Sequence, residues 1–150
     1  MRTRLPNTVH DWEKMLKRVY ERQGPSGFAK YQYSISSILR LTKTSTSLQK
    51  LIEYCSDIPN PKDVLIDTIS EVMLDNTVDT GARVAAAATL RVLIPRMQDY
   101  PGLKGAAIVE AMKEVLQGTR EASLHDALTE TINAANRRLQ ECPRAYEIKL

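Results

Sequence analysis

Asp79-Thr80-Gly81-Ala82-Arg83-Val84-Ala85-Ala86-Ala87-Ala88-Thr89-Leu90-Arg91-Val92-Leu93-Ile94 is the stretch from which the rest of the chain is read. Between Ala82 and Ile94 only Arg83, Thr89 and Arg91 are polar. A helix that is apolar nearly all round is buried on several sides. Asp79 is a suitable cap for its start, and Pro95 kinks or ends it. The alanines at 85 to 88 let neighbouring helices approach toward the short end of the roughly 8–10 Å interaxial range. The stretch predicts a central helix over about 80–94 with other helices packed against it.

Outward from this helix, apolar residues keep a helical rather than a strand spacing, and seven helices are expected. The first, about 8–23, carries Val9, Trp12, Met15, Leu16, Val19 and Tyr20 on one face and is ended by Gly24-Pro25. Ser26 is expected to cap a second, with Phe28, Tyr31, Ile35, Ile38 and Leu39 inward, broken by the hydroxyl-rich run Thr42–Ser47. A short third turns Leu48, Leu51, Ile52 and Cys55 inward. Pro59-Asn60-Pro61 predicts a helix over 61 to about 75, with Asn60 as cap and Pro61 at the first helical position. After the central helix, Tyr100-Pro101-Gly102 opens a sixth that Gly118 stops, and a seventh spans about 122–139. Residues 1–142 are expected to form one all-α helical-repeat domain, with 143–150 as a C-terminal tail.

Composition narrows the function classes. At 150 residues and 43% apolar content the chain can fill a core. Two cysteines exclude a disulfide framework and a four-cysteine zinc site, and two histidines leave little for metal or acid–base chemistry. The chain reads as reduced and intracellular, with cytoplasm and nucleus not distinguished. No segment approaches the roughly 20 apolar residues of a membrane span, and the N-terminus lacks the apolar core of a signal peptide.

Shifted by 42 residues, the chain falls on itself: Leu74 on Leu116, Thr77 on Thr119, Asp79 on Glu121, Ala85 on Ala127, Leu90 on Ile132 and Leu93 on Ala135. Repeats of this period imply stacked helical hairpins. The segment Asp79–Leu93 resembles the second helix of a HEAT or armadillo-type repeat, in which an aspartate in the turn precedes a basic residue, alanines and a leucine. Asp79, Arg83, Ala86 and Leu90 match those types. The gap from aspartate to basic residue is shorter than is usual in that family, and the later copy carries Glu121 and His125 instead. The resemblance implies a short α-solenoid of about three helical hairpins preceded by an N-terminal helix. A compact helical bundle with an alanine-rich middle helix is the alternative.

Charge is segregated. Residues 1–50 hold 10 Lys+Arg and 3 Asp+Glu, residues 51–80 hold 1 and 7, and residues 81–150 hold 10 and 8. The overall +3 thus conceals segments of +7, −6 and +2. Asp63, Asp67, Glu71 and Asp75 fall at successive i+4 positions, forming an acidic ridge that is either a docking surface for a basic partner or a face neutralised by cations of the same fold. A calcium site does not suit carboxylates strung along a helix. The basic first third offers Lys14, Lys17, Arg18 and Arg22, with Arg2 and Arg4, for phosphate contacts. Against that reading, Trp12 and Tyr20 share a face with core residues.

The chemistry of catalysis is not legible. Gly24-Pro25-Ser26-Gly27 and Gly102-Leu103-Lys104-Gly105 lack the spacing and ending of a phosphate-binding loop. Ser123, His125 and Asp126 are nearly contiguous on one helix, so their side chains diverge. Glu110 and Glu114 suit a wet helix face, and neither Cys55 nor Cys142 has an activating neighbour in sequence. No enzymatic activity, cofactor or metal is expected. The expected function is a non-catalytic protein-interaction or scaffolding module acting through helical-repeat surfaces, as a complex subunit or homo-oligomer. The alternative is a nucleic-acid-binding helical protein using the basic N-terminal third; membrane binding is disfavoured.

Overall fold

The computed structural model describes residues 8–41, 48–96 and 102–141, the side chains of 102–108 and 138–141 excepted. Among the described residues every regular element is helical, so the fold is all-α. The first helix, α1 (Val9–Phe28), begins where the Thr8 hydroxyl accepts the Asp11 backbone N–H at 3.1 Å, satisfying one of the amides a first turn leaves bare. Its helical run is interrupted at Gly24, whose φ of 75° and ψ of −172° are open to glycine and closed to side-chain-bearing residues. Pro25 then starts the resumed run, where no amide donor is needed. The expected break is therefore present, but Ser26 is not the cap: it lies inside the resumed turn, and Gly24 holds the position before the proline.

A 3-10 turn, Ala29–Tyr31, leads into α2 (Gln32–Leu41). The hydroxyl run Thr42–Ser47 lies outside the described residues. In α3 (Leu48–Cys55) the four residues predicted to face inward are all buried. The next helix, α4 (Asp63–Leu74), starts two residues later than the Pro59-Asn60-Pro61 signal predicts, and its cap position belongs to Lys62 rather than Asn60. The cause is tertiary. The buried carboxamide of Gln32 accepts the Lys62 backbone N–H at 2.7 Å and donates to the Asn60 carbonyl at 3.1 Å. Those two bonds hold the segment extended, with ψ of 156° at Lys62, and postpone the first turn.

Asp79 caps α5 (Thr80–Leu93) by accepting the Gly81 N–H at 3.1 Å, and Pro95 sits in a 3-10 turn, Ile94–Arg96, that closes it. The chain ends its described part with α6 (Gly102–Gly118) and α7 (Ala122–Glu141). Tyr100, Pro101, Cys142 and the predicted tail lie outside the described residues.

Helix neighbours follow a regular order. Along one row α2 packs on α4 and α4 on α6; along the other α3 packs on α5 and α5 on α7. Across the rows α4 pairs with α5, α6 with α7, and α2 touches α3. The first helix lies against α2 and α3, with Leu16 fully buried and Val9, Trp12 and Met15 packed on the same core. The helices α5 and α7 start 42 residues apart, and Leu90 and Leu93 of the one and Ile132 and Ala135 of the other are all buried.

A second correspondence at the same offset was not read from the apolar pattern. Thr89 of α5 donates its buried hydroxyl to the Ile52 carbonyl of α3 at 3.2 Å, and the Thr131 hydroxyl of α7 lies 2.7 Å both from the Ala87 carbonyl of α5 and from the Ala127 carbonyl one turn back in its own helix, with one proton to share between them. The alanines make this approach possible: Ala86 and Ala87 are fully buried, whereas Ala88 faces solvent. Enlarging a side chain in a filled contact costs roughly 1–3 kcal/mol. Ala87→Leu should therefore destabilise the fold by about that amount, and Ala88→Leu should stay within about 0.5 kcal/mol of the parent; urea unfolding of the two variants checks the contrast.

Candidate functional site

The acidic ridge lies along α4, and Glu71 and Asp75 show how the fold itself engages it. Glu71 receives a two-pronged contact from Arg40 of α2, with Nε to Oε2 at 3.0 Å and an outer guanidinium nitrogen to Oε1 at 3.3 Å. Asp75, just past the end of α4, accepts the Thr77 backbone N–H at 2.9 Å and the Thr77 hydroxyl at 2.6 Å. Its charge also acts on Arg83, whose Nε donates to the Met73 carbonyl at 2.9 Å, at the open C-terminal end of α4. Burial lowers the Arg83 pKa and Asp75 opposes the shift, which leaves a charged guanidinium against carbonyls that favour it. Asp63 is exposed in the first turn, where the helix dipole favours a carboxylate, and Asp67 is half-buried. Arg83 and Asp79 act within one hairpin; in the later copy His125 is exposed, with Nδ1 3.8 Å from Asp126.

The basic residues predicted on α1 are Lys14, Lys17, Arg18 and Arg22, and all four are exposed. The aromatic side chains nearby are packed inward. Tyr20 stacks on Tyr54 with ring centroids 4.1 Å apart and planes at 18°, and both meet Phe28 edge-on at 5.5 and 6.0 Å. This trio joins α1 to α3, so Tyr20 is a packing residue, as its shared face with Leu16 and Val19 suggested.

Structure also brings Lys50 of α3 opposite the α1 lysines. Lys14, Lys17 and His10 line one wall of a cleft of about 180 Å³, Lys50 stands on the other side, and Leu51 and Tyr54 complete the lining. Sequence reading missed this because the two walls are 33 or more residues apart and Lys50 carries no local signal. A wider, open depression of about 750 Å³ runs beside Lys30, Tyr33, Asn60 and Lys62, with Lys62 Nζ 5.3 Å from the Tyr33 ring centroid.

No described residues assemble a nucleophile with a base. Ser123, His125 and Asp126 are exposed neighbours on α7. Cys55 is fully buried, and burial pushes its thiol well above its ordinary pKa, which keeps it protonated and unreactive. Glu110 is exposed and lies 3.4 Å from Lys113. No group of three or more metal-ligating side chains gathers among the described residues, and no described helix is long and apolar enough to cross a membrane. Compared with protein-family models, curated proteins and solved structures, the chain finds no match.

The Tyr20 hydroxyl donates to the Asp57 carboxylate, and that bond, with burial and the carboxylate charge, raises the tyrosine pKa from 10.0 to about 12. A raised folded-state pKa means that the neutral tyrosine stabilises the fold. Its contribution is fully present below pH about 10 and is lost as pH rises toward 12. Thermal unfolding across that window should show the parent losing stability relative to Tyr20→Phe. A pH-independent difference between the two would sink this account.

Proposed function

We propose that the chain is a short armadillo/HEAT-like α-solenoid of about three helical hairpins, α2/α3, α4/α5 and α6/α7, headed by α1, and that it works as a non-catalytic protein-interaction or scaffolding module. The observation that carries this reading is that Thr89 and Thr131, 42 residues apart on α5 and α7, each reach a backbone carbonyl of the neighbouring helix in the row, Ile52 and Ala87. A compact bundle needs no such recurrence; a stack of repeats produces it wherever one hairpin meets the next. On the row α3–α5–α7, the helices α5 and α7 present small, polar and charged side chains to solvent: Ala88, Arg91, Glu130 and Asn133. Arg91 and Glu130 bridge α5 and α7 at 2.6 Å across it. Exposed side chains of this kind suit an extended peptide or a helix of a partner, and binding one requires no catalytic group. Past Ala122 the exposed described positions of α7 are polar, among them Ser123, Asp126, Thr129 and Glu130, so a protein partner on the row surface is favoured over an apolar end-to-end stack.

A photo-crosslinking residue placed at Ala88 tests this reading in cells. The expected result is a discrete adduct at Ala88 that is absent when the same residue replaces the exposed Tyr33 on α2. Adducts of identical pattern at both positions, or none at either, would count against a binding surface on α3–α5–α7.

The second reading, nucleic-acid binding, draws on one observation: Lys14, Lys17, Arg18 and Arg22 all project from α1 into solvent. Counterion release requires that any oligonucleotide affinity fall steeply with salt. A fluorescence-anisotropy titration at about 50 and 200 mM salt should show a drop on the order of 10² if each of these four side chains holds a phosphate. Absence of binding at the lower salt removes this reading.

A further inference from the structure

We propose that the cleft between α1 and α3 is a binding site for a phosphate monoester dianion. His10, Lys14 and Lys17 stand at i, i+4 and i+7, which places them on one face of α1, and Lys50 of α3 faces them across the opening. Glu13 is the one carboxylate on the lining. Arg40, Arg83, Arg91 and Arg96 are each held by a carboxylate or a backbone carbonyl of the fold. Lys14 and Lys17 have no such partner among the described residues. Three ammonium groups around one concavity repel each other, and a bound dianion converts that repulsion into attraction. Lysine serves phosphate as a compact point charge, with no need for the planar fork of arginine.

The floor adds an apolar wall. Tyr54 is fixed by its stack on Tyr20, and Lys50 Nζ lies 5.6 Å from the Tyr54 ring centroid. Leu51 beside it is buried. A phosphate reaching the lysines would bring the carbon chain of its ester against this ring. Size favours one compact group: the cleft measures about 180 Å³, against about 750 Å³ for the depression beside Lys30. A nucleic-acid strand calls instead for charges spread along a track with successive stacking rings, and Arg18 and Arg22 do not line the cleft. The site does not rest on the interaction-module reading, since its walls are in place whatever the α3–α5–α7 row binds.

Calorimetric titration of the full chain with O-phosphoserine at pH 7.5, where the second phosphate proton with pKa about 6 is largely lost, tests the site. Saturable binding with Kd on the order of 1 mM or tighter is expected. Lys14→Gln and Lys50→Gln should each weaken it about tenfold or more, while Lys30→Gln, in the other depression, leaves it unchanged. All three are exposed positions, and unchanged thermal unfolding confirms that the fold is intact. A phosphoserine-containing peptide that binds tighter than the free amino acid identifies a partner segment as the source, and equal affinity identifies a small soluble ester. Failure to saturate at about 10 mM, or a Kd indifferent to both Lys14→Gln and Lys50→Gln, overturns the proposal.

Discussion

A threonine hydroxyl meeting the backbone carbonyl of the preceding helix, once at Thr89 and again at Thr131, constrains how the second row of helices is built. An oxygen–oxygen separation of 3.2 or 2.7 Å cannot be met unless the helices lie close. Close approach in turn requires that Ala86 and Ala87 present nothing larger than a methyl group. At Thr89 neither requirement is met alone: its hydroxyl, left buried without a partner, costs about 1–3 kcal/mol, and an alanine strip without a close neighbour leaves void space, whereas Thr131 also has the Ala127 carbonyl of its own helix at 2.7 Å. Satisfied together, they set the spacing of α3, α5 and α7, and the leucine and isoleucine side chains fill what remains around them.

Around that row, side chains bonded to backbone hold the loops where the packing needs them. Gln32 clamps residues 60 and 62 before α4, Arg83 covers the end of α4 at Met73, and Arg96 donates to the carbonyls of Ser56 and Ile58 at 2.8 and 3.0 Å. Each draws on backbone groups that a helix end or a loop leaves without partners. The exposed ion pairs, Arg40 with Glu71 and Arg91 with Glu130, are half-open to water and are worth at most about 1 kcal/mol each. They neutralise charge without determining the fold. The segmental charge is thus uneven in its use: part of the acidic ridge is balanced from α2 and α5, while the lysines of α1 and α3 remain turned to solvent.

Helix positions were legible where a signal was local. Val9 to Val19, Leu48 to Cys55 and Ala82 to Leu93 carry their spacing in a few turns, and Gly24-Pro25 and Asp79 act within three residues of themselves. Asn60 and Ser26 misled for one shared reason: each is a good cap, but a cap works only where the chain turns helical at the next residue. At Asn60 a side chain 28 residues away holds the chain extended, and at Ser26 the turn had already begun at Pro25. Of the candidate sites, the α1 lysines and the α4 carboxylates were legible as runs of like charge. Their surroundings were not, because Arg40, Arg83 and Lys50 reach them only through packing.

By itself, the sequence determined that this is a helical chain, where its helices fall and which face of each is apolar, since periodicity and punctuation are properties of neighbouring residues. Tertiary structure alone decided that Gln32 governs the start of α4, that Thr89 and Thr131 each reach a carbonyl of a neighbouring helix, and that Lys50 completes a basic cleft begun on α1. Those relations join residues 30 or more positions apart. Only the packing of whole helices can bring such residues within the few ångströms over which hydrogen bonds and charges act.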